Sequence, residues 1–153
     1  TGYEAHPLDT ELLEYQLGFE VLKTDLSRIF EDRIVRYFID TYLDGRTPNP
    51  CIMCNKEIKF GSLLRFALDS GAEYLATGHY AIVKNRISCP DRKITQPFLE
   101  KGKDTSKDQS YFLCLLRCEQ LEKIILPLGG MTKDKVRKTA LCSGLKPVHS
   151  KES

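Results

Sequence analysis

Pro48 and Pro50, two residues apart, restrict the fold of this chain more than any other feature. Each ring fixes its own φ and pushes the residue before it, Thr47 or Asn49, out of the helical region. The backbone is therefore expected to be extended where Cys51 and Cys54 follow, separating two helical patterns. Before the prolines, residues 27–42 repeat apolar side chains at Ile29, Phe30, Ile34, Tyr37, Phe38 and Tyr42, with Ser27 able to cap. After them, residues 60–70 carry Leu63, Leu64, Ala67 and Leu68 on one face and stop at Gly71.

The remaining pattern predicts an α/β chain. Residues 9–17 read as a short helix with Leu12, Leu13 and Leu17 on one face and Gly18 as its stop. Residues 19–24 alternate in part and read as a strand, and residues 73–77 read as a buried strand running into Gly78. Helix, strand, helix, helix, strand in that order implies right-handed crossovers and a three-layer arrangement around a largely parallel sheet. Residues 83–96 are polar and turn-rich, and Phe98 with Leu99 forms a return strand, which together predict a hairpin excursion. Residues 110–125 read as an apolar helix. Residues 132–143 read as a second one, capped by Thr132, closed by Gly144, and facing inward through Val136, Ala140 and Leu141. The tail 145–153 is polar, and there is no internal repeat.

Composition bounds the function classes. A length of 153 residues suits one domain, and 41% hydrophobic with 29% charged content describes a globular chain. No apolar run approaches the roughly 18 residues that span a bilayer, and no signal segment opens the chain. A net charge of +2 does not by itself call for nucleic acid. The basic clusters (Lys101, Lys103 and Lys107; Lys133, Lys135, Arg137 and Lys138) read as solvated faces. Six cysteines without a secretory signal read as reduced, cytoplasmic thiols.

Three places carry candidate chemistry. Cys51 and Cys54 stand at C-x-x-C spacing beside Lys56 and Lys59, and nearby cations favour the nucleophilic thiolate. The spacing equally suits half a metal site or a turn with incidental cysteines. Thr77-Gly78-His79-Tyr80 falls at the carboxyl end of a strand, where open parallel sheets bind ligands. Gly78 admits close approach of a nucleotide, and His79 can donate to a phosphate or a base; a glycine turn with a half-buried histidine fits the same residues. Lys107-Asp108-Gln109 offers a cation for phosphate and an amide for base or ribose edges, and reads also as a plain helix start. His6 and His149 lie in segments without a pattern.

Four motifs in order, Gly45-Arg-Thr-Pro-Asn-Pro, Cys54-Asn-Lys-Glu-Ile-Lys-Phe, Ala76-Thr-Gly-His-Tyr and Ser106-Lys-Asp-Gln-Ser-Tyr-Phe-Leu, closely resemble the bacterial tRNA-specific 2-thiouridylases, members of the PP-loop ATP pyrophosphatases. Leu126-Pro-Leu-Gly and Thr132-Lys-x-x-Val-Arg continue the match. The resemblance implies a PP-loop catalytic domain that uses ATP with Mg2+ to adenylate C2 of the wobble uridine of tRNA. Persulfide sulfur from a relay protein then replaces the oxygen. By matching position it makes Cys54 the first catalytic cysteine, which attacks or releases sulfur by disulfide formation. Asn49, Pro50 and Cys51 fall where the target base is met, Gly78 where ATP is met, and His79, Lys107, Asp108 and Gln109 where tRNA is met.

Three departures accompany the match. The Ser-Gly-Gly-x-Asp-Ser phosphate loop is expected before Thr1 and the second, persulfide-carrying cysteine after Ser153. Cys51 stands where many relatives carry aspartate. Residues 1–153 are thus expected to be part of the N-terminal catalytic domain, with 145–153 leading onward and the phosphate loop and C-terminal tRNA-binding domains elsewhere. With the later cysteine, Cys51 and Cys54 would also supply three thiolates to an iron–sulfur cluster.

Overall fold

The computed structural model describes residues 14, 15, 17–89 and 94–144. Its first full element, α1 (27–43), runs without a break from Ser27–Phe30 through Glu31–Val35 to Arg36–Leu43. This is the helix that the 27–42 apolar period predicts. Helix α2 (50–69) follows after six residues and likewise has three continuous segments, Pro50–Cys54, Asn55–Leu63 and Leu64–Asp69. It begins ten residues earlier than the pattern at 60–70 predicts. The expectation of an extended backbone at the thiols is therefore corrected: Cys51 and Cys54 lie in the first turns of α2. The proline rule acts one residue upstream. Asn49, at φ −119° and ψ 82°, becomes the cap, and Pro50 takes the first helical position, where its missing N–H has no partner to lose.

The middle of α2 is wound wide. The amide of Leu64 donates to the carbonyl of Lys59, five residues back, as well as to that of Gly61. Gly61 is required by this winding, since a Cβ there would lie 2.9 Å from the Lys56 carbonyl oxygen.

Two short ladders complete the frame. Strands β1 (Leu75–Ala76) and β4 (Ile124–Ile125) pair in parallel, and β2 (Ala81–Cys89) and β3 (Ile94–Lys101) form an antiparallel hairpin. The class is α/β with a hairpin excursion, as expected, and its described parallel part is two strands wide. The strand predicted at 19–24 is absent: Phe19 and Leu22 are half exposed, and the Val21 amide is taken by the Glu14 carboxylate at 2.7 Å. The predicted helix over 110–125 is broken into a 3-10 turn at Ser110–Leu113, the four-residue α3 (Cys118–Leu121) and β4. Arg117, extended at φ −84° and ψ 159°, makes the break, and its amide is held by Gln120 Oε1 at 2.9 Å. Helix α4 (Lys133–Cys142) matches its prediction, with Thr132 Oγ1 accepting from the Lys135 amide, although Leu141 is exposed rather than inward. The predicted helix at 9–17 lies mostly outside the described residues, as do His6, His149 and the tail.

The core gathers Phe60 and Leu64 of α2, Ala81 of β2, Leu113, Leu121 of α3 and Ile124 of β4. Gln120 Nε2 donates to the Phe60 carbonyl at 2.6 Å and so ties α3 to α2. That cluster sets the wide-wound part of α2 against the carboxyl end of β1. Among the described residues no helix is long and apolar enough to cross a membrane.

Candidate functional site

The cap fixes the thiols. Asn49 Oδ1 accepts from the Ile52 amide at 3.2 Å, and the Asn49 amide donates to the Tyr37 hydroxyl of α1 at 3.4 Å. Cys51 is thereby exposed on the first turn of α2 and Cys54 half-buried one turn further. Both line a cleft of about 420 Å³ with Asn55, Lys59, His79, Gln109 and Phe112. A second cleft of about 450 Å³ is lined by Lys59, Leu63, Ala76, Thr77, Gly78, His79 and Gln109. Lys59, His79 and Gln109 line both.

The electrostatics differ from what the sequence suggests. Burial pushes the Cys54 thiol above its ordinary pKa; Lys59 opposes the shift and Cys51 adds to it. The expected lowering by Lys56 and Lys59 is therefore corrected. Among the described residues only Lys59 borders the thiols, while Lys56 pairs with Glu57 at 3.1 Å, and one cation does not outweigh burial. His79, 8% exposed, is pushed down to about 4 by burial and then by Lys59, so it is neutral at pH 7. Its Nδ1 lies 2.8 Å from the Thr77 hydroxyl and its ring 5.5 Å from that of Phe60. It acts in this cleft as a neutral hydrogen-bonding ring.

The sequence-predicted residues are thus partly united. Cys51, Cys54, His79 and Gln109 share one cleft, Asn49 and Pro50 start the helix that carries the thiols, and Gly78 opens the neighbouring cleft beyond β1. Gln109 is locked to the chain after β1: its Oε1 accepts from the Tyr80 amide at 3.0 Å and its backbone amide donates to the Tyr80 carbonyl at 2.9 Å. Lys107 and Asp108 line neither cleft. Asp108 accepts from the Gly102 amide at 2.8 Å and from the Ser110 hydroxyl at 2.8 Å, so its carboxylate is occupied in holding the loop.

Gly78 is exposed, with only Leu128 Cδ1 near where a Cβ would stand, so the backbone is open to a nucleotide there. Among the described residues neither cleft is lined by a carboxylate, so the residues present there do not fit Mg2+. Among the described residues no three His, Cys, Asp or Glu side chains converge, and the two thiols do not make a cluster ligand set. The sequence reading missed Asn55 and Phe112. Asn55 had a signal: it is the polar member of the inward row Ile52, Asn55, Ile58 of α2.

Residues 4–153 match the family described as the tRNA methyl transferase HUP domain. A protein of Thermoanaerobacter sp. (strain X514) named tRNA-specific 2-thiouridylase MnmA 2 is 50% identical over 136 residues, 88% of this chain and 35% of that protein. The tRNA-specific 2-thiouridylase MnmA of Treponema denticola is 44% identical over 146 residues, 95% of this chain and 39% of its own. That of Lactiplantibacillus plantarum is 44% identical over 138 residues, 90% of this chain and 35% of its own. The chain spans little more than a third of the length of these relatives.

Proposed function

Because the chain belongs to the tRNA methyl transferase HUP domain family, we propose that it is the thiol-bearing part of a cytoplasmic tRNA uridine 2-sulfurtransferase. The observation that supports this reading most is the adjoining of two clefts: a thiol cleft and an open glycine cleft at the carboxyl end of β1 share Lys59, His79 and Gln109. Two reactants entering adjoining clefts that share lining side chains suit a reaction that joins a base to a nucleotide before sulfur enters.

In this reading ATP approaches the backbone at Gly78, and the target uridine enters beside Cys54. O2 of the uridine attacks the α-phosphorus and pyrophosphate leaves, so that C2 carries an adenylated oxygen. A persulfide sulfur delivered by a relay protein is then added at C2. AMP departs with the former oxygen, and C2 becomes a thiocarbonyl. The thiocarbonyl is freed when the Cys54 thiolate attacks the persulfide-carrying cysteine still joined to the added sulfur. That S–S bond breaks, its electron pair stays with the sulfur on C2, and Cys54 and the carrying cysteine are left as a disulfide that a cellular thiol reduces. Asn49 and Pro50 set the helix that presents Cys51 and Cys54 to the base. His79 offers a neutral ring to tRNA, and Lys107, Asp108 and Gln109 form the loop that faces it.

The test is Cys54→Ser in the full-length protein. Formation of 2-thiouridine is expected to fall below detection while tRNA affinity stays within about twofold, because phosphate contacts dominate RNA binding. Thiolation at the parent rate would remove Cys54 from the mechanism.

A further inference from the structure

Asn55 follows Cys54 directly and is 4% exposed. Its Nδ2 donates to the Phe112 carbonyl at 3.0 Å, and since a carbonyl only accepts, that bond settles which end of the amide is oxygen. Oδ1 at the other end is closed off from solvent and has no hydrogen-bond partner among the described residues. Buried acceptors without a donor are rare and destabilising, and this one belongs to a side chain lining the thiol cleft. The carbonyl of Phe112, which lines the same cleft, holds the amide, so the free oxygen is a fixed acceptor.

We propose that Asn55 Oδ1 accepts the imide N3–H of the uracil ring that enters this cleft, making Asn55 a specificity-determining residue. The inference rests on the 2-thiouridylase reading and adds how the base is chosen and held. A uracil edge offers one N–H between two carbonyl oxygens, which matches a lone neutral acceptor. Cytosine offers a lone pair at N3 and would face Oδ1 repulsively. Anchoring N3 also fixes C2, the adjoining ring atom, beside the thiol of the preceding residue. The side chains rimming the cleft must turn aside to admit the ring, since Oδ1 is closed off from solvent.

The test uses the full-length protein and anticodon stem-loops bearing uridine, N3-methyluridine or cytidine at the target position, with affinities read by fluorescence anisotropy. The parent protein is expected to bind the uridine RNA at least about tenfold more tightly than either of the others. Asn55→Ala is expected to bring all three within about twofold of one another. A purely structural role would weaken the three equally and leave their ratio intact, so an unchanged ratio overturns the proposal. Should Asn55→Ala not fold, the 15N-edited spectrum of the target imide bound to the parent protein decides. A protected, downfield-shifted proton supports the contact and an unshifted one overturns it. Equal binding of the three RNAs by the parent protein sinks the Asn55 contact alone; no RNA binding at all sinks the 2-thiouridylase reading with it.

Discussion

His79 shows how one side chain can report on its surroundings. It is buried beside Phe60, and its pKa of about 4 lies below the roughly 6.5 of an exposed imidazole. Between those values the unfolded chain binds a proton that the folded chain does not. Stability from this residue is therefore whole above about pH 6.5 and is lost as pH falls toward 4. The loss is expected to reach about 2–3 kcal/mol, since each tenfold difference in proton affinity between the folded and unfolded chain is worth roughly 1.4 kcal/mol. Urea unfolding followed from pH 7 to pH 4 should show that slope in the parent and a shallower one in His79→Gln. An identical slope in both would assign the acid sensitivity to other groups. The same burial that keeps His79 neutral holds the Cys54 thiol protonated, a feature that the adjacent lysines in the sequence did not disclose. Charge neighbours can be read from spacing, whereas burial depends on what the fold lays over them.

At the scale of elements, the caps were legible and the partners were not. Thr132 and α4 follow from a few consecutive residues, and so does the apolar period of α1. The start of α2 is hidden in the sequence because Pro50 looks like a breaker until Asn49 is seen to be its cap. Removing that cap by Asn49→Ala is expected to lower the unfolding free energy by about 1 kcal/mol. It should also quicken alkylation of Cys54 by iodoacetamide, since the first turn of α2 then frays; a rate equal to the parent's would count against the cap as the device that holds the thiols. The pairing of β1 with β4 joins residues nearly fifty positions apart, Leu75 opposite Ile124, and the two-residue strands carry too little pattern to announce it. The predicted strand at 19–24 failed for the converse reason: it had alternation but no partner among the described residues.

Across the whole molecule, the hairpin and the parallel ladder are joined by a backbone contact that tolerates no side chain. Gly129 donates its amide to the Leu126 carbonyl and accepts at its own carbonyl from the Lys103 amide at 2.8 Å. A Cβ at this position would run into the carbonyl of Ala81, which is itself fully buried at the start of β2. Gly129→Ala is therefore expected to destabilise the fold by about 3 kcal/mol, read as a lowered midpoint in thermal or urea unfolding. A parent-like midpoint would mean that the turn 126–130 can move off β2. The site was legible in the same uneven way. Cys54, Gly78 and His79 stood out in their own motifs, but the meeting of α2 with the loop at Phe112 spans 57 positions and appears only in three dimensions.

Lys59, His79 and Gln109 each border two clefts. An occupant that turns any of the three on entering one cleft reshapes the other, and the energy of that adjustment is the same whichever guest arrives first. Before any bond forms between them, two guests would thus sense one another through three side chains, with the second arrival helped or hindered by what the first has already moved.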